Sequence, residues 1–184
     1  MSETQAPIFI ISGAPGAGKS TVSIALLQKF SRGMHIPVDE LREWVVSGIA
    51  QPIPEWTEET TRQFNLAREG AARLARLYAR AGFAVAIDDV LFEDDARQAY
   101  MPFLEGCPVY KVLLLPELTR AQERNLSRTN KAFDTRLLQD TIRGIDAALR
   151  QQELSENWLV LDSSELDAGQ TAQAILDNTP TALF

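Results

Sequence analysis

A doubly wound α/β sheet is the fold class this chain predicts, and three observations predict it. Five strand-like apolar runs alternate with segments of helical periodicity. Most of the runs are near-continuous rather than alternating, as in strands of a parallel sheet covered on both faces. The first run, Pro7 to Ser12, leads straight into Gly13-Ala14-Pro15-Gly16-Ala17-Gly18-Lys19-Ser20-Thr21, which matches G-x-x-x-x-G-K-[ST] between a strand and a helix-forming stretch.

The loop has a definite chemistry. Gly13, Gly16 and Gly18 let the backbone curl until successive N–H groups face one concavity, where an anion can sit. The dipole of the following helix adds positive potential there. Lys19 brings a mobile charge suited to β- and γ-phosphates, and the Ser20 hydroxyl suits the shell of a Mg²⁺ ion. Together they predict binding of a nucleoside triphosphate.

The second run, Met34 to Val38, ends at Asp39. This carboxylate is expected either to cap the helix that follows or to accept or orient a hydroxyl proton during phosphoryl transfer. His35, the sole histidine, reads as a packed strand residue. A long helix is expected from Thr57 to Ala81, with Phe64, Ala67, Ala71, Leu74 and Tyr78 on one face and Glu69, Arg73, Arg76 and Arg80 on a solvated one. Gly82 stops it. The third run, Phe83 to Ile87, ends in Asp88-Asp89. An acidic residue after an apolar strand is the usual second half of a phosphate-loop site, so Asp88 is the expected Mg²⁺ partner. Adjacent strand residues point to opposite sides, which leaves Asp89 to face the acceptor or to cap a helix.

After the fourth run, Val109 to Leu115, comes a helical segment with Arg120, Arg124 and Arg128 four apart on one face. Three like charges at that spacing suit an anion between them, and a triphosphate supplies one. Thr129 to Phe133 and Arg136 follow, so a small lid is expected over about 120–136. A further helix is expected from Asp134 to Leu154, with Leu138, Thr141, Ile145 and Ala148 as its stripe. The last run is Trp158 to Leu161, and a terminal helix is expected after Asp167. Trp44, Trp56 and Phe64 lie between the second and third strands, where an acceptor would bind. They read as core residues, although an aromatic or apolar acceptor would suit them.

At 184 residues the chain fits one domain. Its 45% apolar and 23% charged residues are ordinary for a globular protein. A net charge of −7 argues against a general nucleic-acid or membrane-surface binder. The single cysteine, Cys107, fits a reducing compartment and a structural thiol. The polar, acidic start from Met1 to Gln5 is unlike a signal peptide, and no apolar stretch approaches ~20 residues, so a cytoplasmic location is expected.

With the loop, Asp39, Asp88 and the arginine helix in place, the chain resembles the adenylate-kinase-like group of small phosphate-loop kinases over nearly its whole length. The resemblance implies a three-layer α/β/α fold with a five-stranded parallel sheet of order 2-3-1-4-5. It also implies an ATP·Mg²⁺ donor, with adenine held partly near Asp162-Ser163-Ser164. It assigns adenine stacking to Arg124 and a phosphate-contacting lid role to Arg128. Asp39-Glu40-Leu41-Arg42 looks like the start of the nucleoside-monophosphate site of adenylate kinase, where the arginine grips the acceptor phosphate. The D-G-F-P-R run of that enzyme is replaced here by Asp88-Asp89-Val90-Leu91-Phe92, so the second phosphate clamp is missing. Chloramphenicol phosphotransferase and the zeta-toxin-like kinases are more similar: they carry an Asp at the end of the second strand as base, matched by Asp39, and phosphorylate a small-molecule hydroxyl. In the loop, chloramphenicol phosphotransferase differs, with Ser and Ala where this chain has Pro15 and Gly16.

The expectation is therefore a single kinase domain, with an acceptor-binding insertion over about 40–81. Lys19, Asp39 and Arg128 are its catalytic groups. The loop from Gly13 to Thr21, with Arg120, Arg124 and Arg128, binds the nucleotide. Ser20 and Asp88 hold the metal, and Asp39, Arg42 and Asp89 face the acceptor. A nucleoside or nucleotide kinase, or a regulatory ATPase without an acceptor, are the alternatives. The guanine-selective N/T-K-x-D spacing does not occur after the fourth strand, which favours ATP over GTP. Monomer and homodimer both stay open, and neither nucleic acid nor membrane is an expected partner.

Overall fold

A computed structural model of the chain describes residues 5–53, 55–126 and 139–179. Arg128, Arg136 and the rest of the expected lid beyond residue 126 lie outside the described residues. So does the expected helical start from Asp134 to Leu138.

Five parallel strands form one sheet of order β2-β3-β1-β4-β5. They are β1 (Ile8–Ser12), β2 (Gly33–Pro37), β3 (Ala84–Asp88), β4 (Val109–Leu114) and β5 (Trp158–Leu161). The helices are α1 (Lys19–Leu27), α2 (Val38–Glu43), α3 (Glu58–Arg80), α6 (Leu118–Leu126), α7 (Gln139–Gln151) and α8 (Ala168–Asn178). Between β3 and β4, the short α4 (Glu93–Asp95) and α5 (Met101–Leu104) join through a π-helical turn, Ala96–Tyr100.

The continuous apolar runs are explained by burial on both faces. Ile8, Ile10, Val85, Ile87 and Leu113 face one layer, built from α3, the π-helical turn, α5 and α7. Phe9, Ile11, Ala84, Ala86, Val112 and Leu114 face the other, built from α1 and α8. Consecutive strand residues therefore serve opposite cores. On α3 the buried stripe Ala71, Ala72, Ala75 and Ala79 is small, so the helix can lie close on the sheet.

Local signals set several boundaries. Thr57 and Thr60 form a reciprocal capping box that starts α3, and Asp167 and Gln170 do the same for α8, where the sequence placed that start. β2 ends one residue earlier than expected, at Pro37, and α2 starts at Val38, so the N-cap is Pro37, two residues before Asp39. A partly buried cluster ties α4 to the far strands. Lys111 on β4 donates to Ser155 and pairs with Glu93, and the Trp158 indole N–H also donates to Glu93.

One further joint fixes the root of the phosphate loop. The Ser12 hydroxyl donates to the Leu91 carbonyl at 2.8 Å and accepts from the Leu91 N–H at 3.0 Å, with both residues fully buried. Ser12→Ala orphans a buried donor and a buried acceptor together. It is expected to destabilise the fold by about 2–4 kcal/mol in urea unfolding, with the secondary structure seen by circular dichroism unchanged.

Candidate active site

The carboxyl ends of β1, β3 and β2 lie side by side, because Ile11 is level with Asp88 and Asp88 with Pro37. Ligand sites of doubly wound sheets form at this edge. What each strand delivers there defines the site.

From β1 comes the phosphate loop. Gly18 stands at the N-cap of α1 in the left-handed region, with φ +97°. Gly16 has φ +88°, and a Cβ there would come within 2.1 Å of the Ala121 carbonyl oxygen. A side chain at position 16 is thus excluded by conformation and by space, because α6 rests on the loop. Lys19 is the first residue of α1, and its Nζ donates back across the loop to the Gly13 carbonyl at 2.9 Å and the Ala14 carbonyl at 3.3 Å.

From β3 comes Asp88, buried at the strand end. His35 Nε2 on β2 donates to its Oδ2 at 2.5 Å. Burial pushes the Asp88 carboxyl up, but the His35 hydrogen bond, the Lys19 and His35 charges and the Ser20 hydroxyl outweigh burial and hold it below its ordinary value. A hydroxyl and a carboxylate side by side offer hard oxygen donors, which suit Mg²⁺ with water completing its shell. Among the described residues no group of three or more His, Cys, Asp or Glu forms a ready-made cage, so a metal here would depend on phosphate and water as well. Ser20 and Asp88 are the residues that would hold it.

His35 corrects the sequence expectation. It is not simply packed in its strand: it is partly exposed, lines the cavity and holds Asp88. Sequence alone could not reveal this, because the two residues are 53 positions apart and meet only through the β2–β3 register.

Asp39 is exposed in the first turn of α2 and borders the same cavity as Lys19 and Ser20. It is not the helix cap, since Pro37 holds that position and α2 has no side-chain cap bond. Three residues on, Arg42 is buried. Its Nη2 donates to the Ala50 carbonyl at 2.7 Å, and its guanidinium lies 4.0 Å from the centre of the Phe64 ring. The other ring near Phe64 is Trp56, stacked at 4.9 Å. The expectation that Trp44 and Trp56 are core residues fails: they are 72% and 55% exposed, while Phe64 is buried. The alanine stripe of α3 already fills the space against the sheet, and both indoles border the cavity instead.

Asp89, expected to face the acceptor or cap a helix, does neither. It is buried, accepts from Arg68 Nε at 2.8 Å and from the Tyr100 hydroxyl at 3.1 Å, and does not line the cavity. The helix cap after it is Phe92. Arg68 also pairs with Asp95 at 3.2 Å and donates to the Val90 carbonyl. The sequence reading missed Arg68, although an arginine one turn after Phe64, on the apolar side of α3, was a usable signal.

On the opposite side of the loop, Arg124 Nη2 donates to the Ser163 carbonyl at 3.3 Å. Arg124 and Ser163 line a second cavity of about 260 Å³ together with Gly18 and Thr21. Arg120 is exposed and pairs with Glu123 and Glu165, so α6 directs Arg124 but not Arg120 toward the loop. The main cavity, about 1540 Å³, is continuous from Lys19 and Ser20 past Asp39 and Asp88 to the α2–α3 wall.

This strand order, phosphate loop and strand-end Asp define a phosphate-loop domain built on a doubly wound parallel sheet. The chain belongs to the AAA_33 family, described as an AAA domain, whose profile matches residues 8–155. Among solved structures it is similar to a sugar kinase from Janibacter sp. HTCC2649, with 20% identity, 97% of this chain and 94% of that one covered, and a TM-score of 0.63. A gluconokinase from Sinorhizobium meliloti 1021 is similar at 18% identity, 98% and 96% coverage and a TM-score of 0.63. The Deinococcus radiodurans tunicamycin resistance protein is similar at 17% identity, 95% and 96% coverage and a TM-score of 0.63. At these identities the likeness is one of fold. No curated protein matches this chain in sequence. No described helix is long and apolar enough to cross a membrane.

The paired aspartates give opposite pH signatures. Burial pushes Asp89 up to about 6, Arg68 pulls it down, the Asp39 charge pushes it up again and the Tyr100 hydroxyl pulls it down. An unfolded Asp has lost its proton by about pH 4, so between about 4 and 6 the native state binds more protons and Asp89 lowers stability as pH rises. Asp88, held low, adds stability that is lost as pH falls below the ordinary carboxylate range. Urea unfolding from pH 4 to 7 is expected to show a downward contribution in the wild type that is missing in Asp89→Asn. Parallel profiles for the two proteins would exclude this assignment.

Proposed function

We propose that the protein is an ATP-dependent phosphotransferase that moves the γ-phosphate to a hydroxyl group of a small molecule, in the manner of chloramphenicol phosphotransferase. One observation carries this reading: among the described residues, the cavity that begins at Lys19 and Ser20 continues past Asp39 and Asp88 to the α2–α3 wall. A regulatory ATPase has no use for such a space, and a packed surface would be expected there.

In this reading the loop N–H groups and Lys19 cradle the β- and γ-phosphates, and Lys19 exchanges its contacts with Gly13 and Ala14 for phosphate oxygens. Ser20 and Asp88 hold Mg²⁺, which when bound neutralises charge on the phosphates. His35 fixes the orientation of Asp88. Asp39 accepts the acceptor proton as the hydroxyl oxygen bonds to the γ-phosphorus, and the bond from that phosphorus to the β–γ bridging oxygen breaks to release ADP. Arg124, beside the loop and Ser163, contacts the nucleotide from the α6 side. The sequence assigns Arg128 a charge-neutralising part in the same step.

The test is a panel of hydroxyl-bearing metabolites, nucleosides and amphenicols, read by ADP release and product mass. A phosphorylated product supports the proposal, and ADP release with water as the only acceptor under every condition excludes it. With a confirmed substrate, Asp39→Asn is expected to keep ATP binding near normal and to lower transfer by about 10²-fold or more. Full turnover in that variant would remove Asp39 from the chemistry.

A further inference from the structure

Trp56 is an exposed indole that the protein holds rigidly in place. It stands just before Thr57, the N-cap of α3, so the capping box of Thr57 and Thr60 fixes its backbone. Its indole N–H donates to the Thr61 hydroxyl at 2.7 Å. One face of the indole lies on the Phe64 ring, with centroids 4.9 Å apart and planes inclined by 15°. Phe64 is buried and is held in turn by the Arg42 guanidinium, 4.0 Å from its centre. An indole with its N–H and one face engaged, yet 55% exposed, turns its other face to the cavity that it lines. Trp44 differs: its side chain has neither a ring partner nor a hydrogen bond among the described residues. A bare flat apolar face forgoes the stabilisation that burial gives. A ligand ring laid on it recovers that term, and the platform is already immobile, so little ordering cost opposes binding.

The polar side chains that share this wall are spent inward. Gln63 accepts from the Ala50 N–H at 2.9 Å and donates to the Gly48 carbonyl and to Glu59, each at 2.8 Å. Thr60 bonds to Thr57 and reaches the Gln51 carbonyl at 3.4 Å, while Thr61 receives the indole. These contacts brace the segment between α2 and α3 behind the platform. A pyranose can also lie on an indole, but its hydroxyls then need partners around the ring, and Thr60, Thr61 and Gln63 are already taken. A flat apolar ring needs none. Ile53 and Trp44, both exposed, add apolar surface to the same cavity. Resting on the phosphotransferase reading, we infer that the acceptor is a hydroxyl compound with a planar aromatic ring. The ring lies on the open face of Trp56, and the hydroxyl reaches Asp39.

The experiment measures binding and turnover separately on the full chain, with Mg²⁺ and a saturating non-hydrolysable ATP analogue in the binding arm. Naphthylmethanol, its fully saturated counterpart, methyl glucoside, adenosine and uridine are titrated by ligand-observed NMR. The saturated alcohol has at least as much apolar surface as the flat one, so burial alone gives no preference for the flat one. The wild type is expected to bind naphthylmethanol or a nucleoside about 5-fold or more tightly than either the saturated alcohol or the glucoside. Whichever ring compound binds more tightly assigns the ring to a simple arene or to a nucleobase. Trp56→Leu is expected to lose about 5-fold or more of the affinity for that compound. Trp56→Phe, which keeps a ring, is expected to lose less and guards against a folding defect in the leucine variant. No preference for a ring compound over the saturated alcohol and the glucoside, no binding of any probe, or an unchanged Trp56→Leu protein overturns the inference. Trp56-dependent ring binding with no phosphorylated product from ATP and any hydroxyl compound would instead sink the phosphotransferase reading and leave the stacking site standing.

Discussion

The arrangement of this site depends on one buried negative charge, the carboxylate of Asp88. Burying such a group without partners costs several kcal/mol, and its partners come from two other segments of the chain. His35 reaches it from β2, while Lys19 and Ser20 reach it from the start of α1. The first three strands must therefore be in register before this charge is tolerable. A slip of one residue in β3 would turn Asp88 to the opposite face and present Asp89 to the loop instead. The two neighbours thus divide the strand end. Asp88 belongs to the phosphate-loop side, and Asp89 is bound behind it by Arg68 and Tyr100.

That division explains why two adjacent carboxylates are held so differently. Asp88 is surrounded by donors and a cation and stays ionised easily. Asp89 is wholly enclosed, answers to one guanidinium and feels the charge of Asp39. The π-helical turn matters here, since it delivers Tyr100 into the core beside Asp89. Turns of this kind tend to occur near functional sites, and in this chain the turn lies directly behind the cavity wall.

The fold and the placement of the phosphate loop and of Asp88 at a strand end were largely legible in the sequence. Continuous apolar runs, a Gly-Lys-Ser loop and an acidic residue ending the third strand are local signals, and each stands in the structure where it was read. What was not legible depends on partners distant in the chain. His35 has a site position only because β2 lies against β3, and Arg68 only because Asp89 turns inward toward α3. Trp44 and Trp56 were misjudged for a related reason. Apolar residues predict burial when a facing layer exists, and the segment between α2 and α3 borders an open space instead. Asp39 was read with two roles, and a two-residue shift of the α2 N-cap, to Pro37, removed the capping one.

The stack of Trp56, Phe64 and Arg42 sets a further condition on whatever enters the cleft. An arginine oriented by a carboxylate offers a ligand only what remains after an internal rival has been displaced. Here, among the described residues, a ring and a carbonyl do the orienting, and Asp39, Glu43 and Asp89 favour the charge without forming an ion pair with it. Its burial also shields it from the bulk ionic atmosphere, which screens enclosed charges far less than surface ones. Selection at this position would then differ little between dilute and salty solution, unlike selection by a cation on an exposed rim.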